Sequence, residues 1–106
     1  MDLLDIQQDE SKDSKDYFPE HELTLEFLAL ALVGEVGETC NEIKKHLRGD
    51  FDSVELTGRL RDELPDILIY LVMLADYMKI NLNTAYLTKK DYNNARFRSG
   101  SSTTSE

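Results

Sequence analysis

Phe27-Leu28-Ala29-Leu30-Ala31-Leu32-Val33-Gly34-Glu35-Val36-Gly37-Glu38 is the stretch that decides how this chain folds. Its apolar run stops at Glu35, well short of the roughly 20 apolar residues that cross a membrane. Over residues 21–47 the apolar positions are Leu23, Phe27, Leu28, Leu30, Ala31, Val33, Val36, Cys40, Ile43 and Leu47. They recur mainly at steps of three and four, the mark of a helix with one apolar face. Gly34 and Gly37 each cost a helix interior roughly 1 kcal/mol against alanine. The expected benefit is close approach of another helix or a ligand beside Glu35 and Glu38. The helix should end near Arg48-Gly49-Asp50, where glycine caps the C-terminus.

Downstream, Asp52-Ser53-Val54-Glu55 has the spacing of an N-cap with its capping-box partner. A second helix follows to about Lys79, through Leu56, Leu60, Leu64, Ile67, Leu68, Leu71, Leu74, Ala75 and Met78. Pro65 lies inside it, removes the hydrogen bond to the Arg61 carbonyl and is expected to kink it. Asn81-Leu82-Asn83-Thr84 signals a further turn and cap, then a helix over about 82–97. Residues 98–106 are low in complexity and are expected to be a disordered tail.

Upstream, Tyr17-Phe18-Pro19 marks a turn into the first long helix. Residues 7–16 are polar and without period, and read as a loop or frayed segment. Leu3, Leu4 and Ile6 before them suit a short helix or a dimer contact. Neither strand alternation nor a hairpin signal is present, so the expected fold is all-α. It is a four-helix bundle in a single domain over 1–97, with its core at 21–97.

The chain has 106 residues, enough for one modest core. A formal charge of −9 argues against a nucleic-acid polymer as partner, since such binding needs a basic footprint. A triphosphate is an anion too, but a bound divalent cation reverses the local field. The N-terminal Met1-Asp2-Leu3-Leu4-Asp5 lacks the basic flank of a signal peptide, so a cytoplasmic location with no membrane partner is the default. The single cysteine, Cys40, falls in a helical pattern and is expected to be a packed thiol.

Two acidic pairs carry the chemistry: Glu35 with Glu38, and Glu63 with Asp66. Each pair is spaced i, i+3, so each projects from one face of one helix. Apolar residues flank all four, and an antiparallel pairing of the helices gathers them at one seam. Two unit charges about 5 Å apart repel by roughly 3 kcal/mol at an effective dielectric of 20. Either the acids are solvated surface groups, or they hold a cation. An oxygen-only set suits Mg²⁺ or Mn²⁺ better than Zn²⁺.

His21 and His46 lie outside both pairs and read as surface residues, which removes a zinc hydrolase and a Glu-x-x-His di-iron bundle. Neither a Walker A loop nor a Rossmann fingerprint nor a G-x-S-x-G elbow is present. Water activated by a metal against a phosphoryl group is then the natural chemistry. Lys89, Asn93 and Arg96 share a face of the last helix, and with Lys90 they are candidate phosphate partners. Lys44, Lys45 and Arg48 close the first acidic helix; each of these cations is equally readable as a solvated charge. Tyr70, one turn after Asp66, is either a core residue or a ligand contact. Glu42 either extends the acidic stripe or is solvated beside Lys45.

Leu30-Ala31-Leu32-Val33-Gly34-Glu35-Val36-Gly37-Glu38 and Asp62-Glu63-Leu64-Pro65-Asp66-Ile67-Leu68-Ile69-Tyr70-Leu71-Val72 resemble the two motifs of the MazG-like all-α nucleotide pyrophosphohydrolases. Leu87-Thr88-Lys89-Lys90-Asp91-Tyr92-Asn93 is similar to the lysine-to-asparagine segment of their dCTP pyrophosphatase branch. The resemblance covers about residues 23–97. It implies Mg²⁺-dependent hydrolysis of a (deoxy)nucleoside triphosphate to monophosphate and pyrophosphate. It implies Glu35, Glu38, Glu63 and Asp66 as metal ligands, Lys89 and Asn93 against phosphates or sugar, and Tyr70 lining the pocket. Glu38 is the nominal general base, and a homodimer or homotetramer is the expected assembly. Pro65 departs from the small residue usual in the family. The short N-terminal region leaves Tyr17 and Phe18 as the aromatics nearest to a base-contacting role. The competing readings are an acidic helical dimerisation or protein-interaction module, and a nucleotide sensor that binds without cleaving.

Overall fold

The structure, a computed structural model, describes residues 1–98. Four α-helices follow in order: α1 (Leu3–Tyr17), α2 (Leu25–Leu47), α3 (Ser53–Tyr77) and α4 (Leu82–Arg98), with one 3-10 turn at Glu20–Glu22 after Pro19. Strands are absent among the described residues. The all-α expectation therefore stands. The tail expected over 98–106 lies outside the described residues except for Arg98, which ends α4.

Each helix begins where a side chain can take up an orphan backbone N–H. Asp52 Oδ1 accepts from the Glu55 amide at 2.8 Å, and Thr24 Oγ1 from the Phe27 amide at 3.1 Å. Asn81 Oδ1 accepts from the Thr84 amide at 3.1 Å. At the end of α2, the Gly49 amide donates to the His46 carbonyl and the Asp50 amide to the Lys45 carbonyl, with Gly49 at φ +96°. This paired closure needs a left-handed residue, which is why glycine stands there. The same closure ends α3, with Lys79 in the left-handed place at φ 60°.

The short turn at 48–52 folds α3 back on α2, and this antiparallel hairpin is the main contact of the fold. Helix α1 lies on α3, and α4 docks on α1. Leu28 of α2 and Val72, Met73 and Ala75 of α3 form the buried apolar core. Helix α3 runs as one helix through Pro65. Pro65 and Arg61 are both exposed, so water can reach the carbonyl that the proline leaves unbonded.

Three expectations need correction. Residues 7–16 are not a loop: they are the body of α1, which starts with a capping box between Asp2 and Asp5. Their polar side chains are structural. Gln7 Nε2 donates to the Ile80 carbonyl at 2.7 Å, while Gln7 Oε1 accepts from the Leu82 amide at 3.0 Å. Ser11 Oγ donates to Asp76 Oδ2 at 2.7 Å. A helix that docks through such bonds leaves no apolar period to read. Cys40 is exposed rather than packed, because it lies five residues past Glu35 and so on the side of α2 turned away from the seam. Among the described residues, nothing outside the neighbouring turns of α2 lies within 4 Å of a Cβ built on Gly34 or Gly37, so the close approach of another helix expected there is not made by them.

Buried Gln7 is thus a clip between α1 and the α3–α4 turn. Gln7→Leu strands the Ile80 carbonyl and the Leu82 amide together. The expected loss is about 1–3 kcal/mol by urea denaturation, against less than about 0.5 kcal/mol for exposed Gln8→Ala.

Candidate functional site

Helix α2 supplies Glu35, and α3 supplies Glu63 and Asp66. One carboxylate oxygen from each lies within 4.8 Å of the other two. Antiparallel packing produces this convergence: the stripes carrying the acids are also the stripes that the two helices turn to each other. All three residues are half-buried. Glu35 Oε2 and Glu63 Oε2 are both shut off from solvent and make no hydrogen bond. Buried polar oxygens rarely go unpartnered, because desolvation without a bond costs about 1–3 kcal/mol.

The electrostatics agree with the geometry. Burial raises the Glu35 carboxyl above its ordinary range, and the charges of Glu38 and Asp66 raise it further. Burial also raises Glu63, followed by a hydrogen bond and like charge from Glu38, then charge from Glu35 and Asp66. The ion pairs of α2 and α3 lie elsewhere. Arg59 reaches Glu42 at 2.7 Å and Glu55 at 3.0 Å, and Lys45 approaches Glu42 at 3.8 Å. Three converging carboxylates, two of which carry an orphaned oxygen, form a donor set for a hard divalent cation.

Glu38 stands at the rim, exposed, beside Glu63. Tyr70 is next to the cluster: burial raises its hydroxyl, then the charges of Glu35 and Asp66 do. Its ring meets the edge of Phe27 at 6.3 Å, and Phe27 meets Phe18 at 5.6 Å. Phe18 therefore turns inward, while Tyr17 stays exposed. Phe27 was readable from the sequence only as an apolar helix position; its place one turn from Ala31 on the seam side gave no sign of an aromatic contact.

The other candidates stand apart from the acids. Lys89, Asn93 and Arg96 belong to α4, whose main contact is α1. There the Lys89 ammonium lies 5.0 Å and the Arg96 guanidinium 5.7 Å from the Tyr92 ring centre. Glu42 is taken up by Arg59, so it is a structural ion pair rather than part of the acidic cluster. His46 Nδ1 lies 2.9 Å from the Phe51 carbonyl and its ring packs on Phe51, whereas His21 is exposed.

Comparison with known proteins agrees with this geometry. The family model for the MazG nucleotide pyrophosphohydrolase domain matches residues 23–94, which include all four acids. Human dCTP pyrophosphatase 1 is 40% identical over 74 residues, 66% of this chain and 44% of that protein. The bovine dCTP pyrophosphatase 1 is 41% identical over 76 residues, with the same coverage. Gene 37 protein of Mycobacterium phage L5 is 36% identical over 77 residues, 70% of this chain and 65% of that protein. The chain thus spans less than half the length of the dCTP pyrophosphatases it matches. With the acid-bearing hairpin inside the matched region, the chain belongs to the MazG nucleotide pyrophosphohydrolase domain family.

Proposed function

We propose that this chain is a Mg²⁺-dependent nucleoside triphosphate pyrophosphohydrolase, cleaving a (deoxy)nucleoside triphosphate to monophosphate and pyrophosphate. The observation that carries the reading is the convergence of Glu35, Glu63 and Asp66, with a buried, unbonded oxygen on each of the two glutamates. Glu35, Glu63 and Asp66 would hold the ion, with Glu38 completing the set from the rim; Mn²⁺ is a reasonable substitute. When bound, such an ion offsets phosphate charge and makes water a better nucleophile at neutral pH. The remaining work falls to the chain. Glu38, exposed and next to Glu63, would accept a proton from water attacking the α-phosphorus. Tyr70 closes the apolar side of the site, where reduced solvent strengthens each electrostatic contact.

The assembly belongs to the proposal. Leu30 and Val33 on α2 are 72% and 68% exposed, and Leu64 on α3 is 52% exposed. The radius of gyration is 17.2 Å, against about 13 Å for a compact chain of this length. A homodimer or homotetramer covering these faces accounts for both. Lys89, Asn93 and Arg96 take part in substrate binding only if such a neighbour brings α4 to the acids.

The test is a panel of deoxy- and ribonucleoside triphosphates incubated with the chain and Mg²⁺. Monophosphate and pyrophosphate should appear in equal amounts for at least one nucleotide, dCTP first. Glu38→Ala should lower kcat by on the order of a hundred-fold. Binding without pyrophosphate release would identify a sensor, and unchanged activity in Glu38→Ala would remove its proposed role.

A further inference from the structure

Arg59 stands one turn before Glu63 on α3, on the stripe that also carries Asp66. No other cation of α2 or α3 is spaced three or four residues from Glu35, Glu63 or Asp66. An arginine at that spacing is within reach of its acid, and this one would bring positive charge to the unbonded oxygen of Glu63. It does not do so. Its guanidinium is drawn the other way along the hairpin, toward the turn at 48–52.

Three contacts hold it there. Arg59 Nη1 donates to Glu42 Oε2 across the seam at 2.7 Å, and Nε donates to Glu55 Oε2 at 3.0 Å. The Phe51 ring centre lies 4.1 Å from the guanidinium carbon. Glu42 is the firmer of the two acidic anchors: its side chain is 18% exposed against 53% for Glu55, and water weakens an exposed pair. It lies seven residues after Glu35 on α2, about 10 Å nearer the turn and on nearly the same stripe. We propose that Glu42 is a positioning residue for the cation site: by holding Arg59, it keeps the guanidinium from closing on Glu63 and taking the place of the divalent ion. A guanidinium on Glu63 satisfies the same oxygen that the ion needs, so the two occupants exclude each other. Were the guanidinium to hold the site nine-tenths of the time, apparent affinity for the ion would fall about tenfold. The part played by the ion rests on the divalent-cation reading above; the restraint on Arg59 does not.

Calorimetric titration of the full chain with Mn²⁺ alone tests the proposal, through Glu42→Gln, Arg59→Ala and the double variant. Glu42→Gln should raise the Mn²⁺ Kd about tenfold. Arg59→Ala should leave the Kd within about twofold of the unaltered chain, and added to Glu42→Gln it should restore the affinity. If Arg59→Ala tightens binding by the same factor in both backgrounds, the effect is only the long-range field of the two charges, and the proposal falls. An unchanged Kd in Glu42→Gln, or a double variant as weak as Glu42→Gln, also overturns it. Should Glu42→Gln fail to fold, Glu42→Met fills a similar volume without a charge and is read the same way. A crystal structure of metal-free Glu42→Gln separates this inference from the cation reading. The guanidinium should lie against Glu63; if it stays on Glu55 and Phe51, the inference is overturned. If the unaltered chain binds no Mn²⁺ yet the guanidinium moves, the cation reading falls and the restraint on Arg59 stands.

Discussion

Glu63→Gln should all but abolish turnover while making the metal-free protein harder to melt. The substitution keeps the shape of the side chain and removes one negative charge from the cluster. Glu63 has a buried, unbonded oxygen and like charges from Glu38, Glu35 and Asp66 around it. In an apo protein that arrangement destabilises the fold, so an uncharged replacement relieves it. For catalysis the same charge is required, and its loss should lower kcat/KM by on the order of a thousand-fold. Opposite signs in two measurements, melting temperature and kcat/KM, separate a site residue from a structural one. A packing role would lower both. Arg59→Ala is the contrasting control: it strands Glu42 and Glu55, destabilises the hairpin, and leaves the acids in place.

The second large effect is stabilisation by the cation, and it depends on pH. A divalent ion bound only by the folded chain adds about 2.7 kcal/mol at a hundred times its Kd, or on the order of 10 °C in a domain of this size. Glu35 and Glu63 are both raised above the ordinary carboxylate range in the fold. Their folded forms therefore hold protons that the unfolded chain has lost, and stability falls as pH rises through that window. The penalty is fully present above the raised values and absent below the unfolded one, near 4.3 for glutamate. Metal-free protein should gain melting temperature from this pair as pH falls from neutral towards 5. The increment due to Mg²⁺ should be largest at neutral pH and shrink over the same range, because protons and the ion compete for the same oxygens. Melting curves with Mg²⁺ or with chelator at several pH values check both slopes.

The parts of the fold and site that were legible in the sequence are those held by local rules. The step of three and four from Leu23 to Leu47, the Asp52 cap and the Gly49 closure are local, and α2 and α3 formed as they required. Once that hairpin exists, the meeting of Glu35 with Glu63 and Asp66 follows from helix geometry alone. What the sequence hid was tertiary. Helix α1 docks through Gln7 and Ser11, whose polarity looks like a loop until Ile80, Leu82 and Asp76 are seen opposite them. Cys40 has an apolar helical spacing, yet it faces away from the seam in a hairpin that fills only one side of α2. The role expected of Lys89 and Asn93 needs α4 near the acids, and spacing along a chain carries no information on which helix α4 docks against.

The acid-lined seam is proposed to direct water to the α-phosphorus of a nucleoside triphosphate. Hydrolysis of dCTP by the full chain with Mg²⁺ in ¹⁸O-water, followed by ³¹P NMR, tests it most directly. The expected products are dCMP carrying the label and unlabelled pyrophosphate. Label in pyrophosphate, release of orthophosphate as the first product, or no cleavage would contradict it.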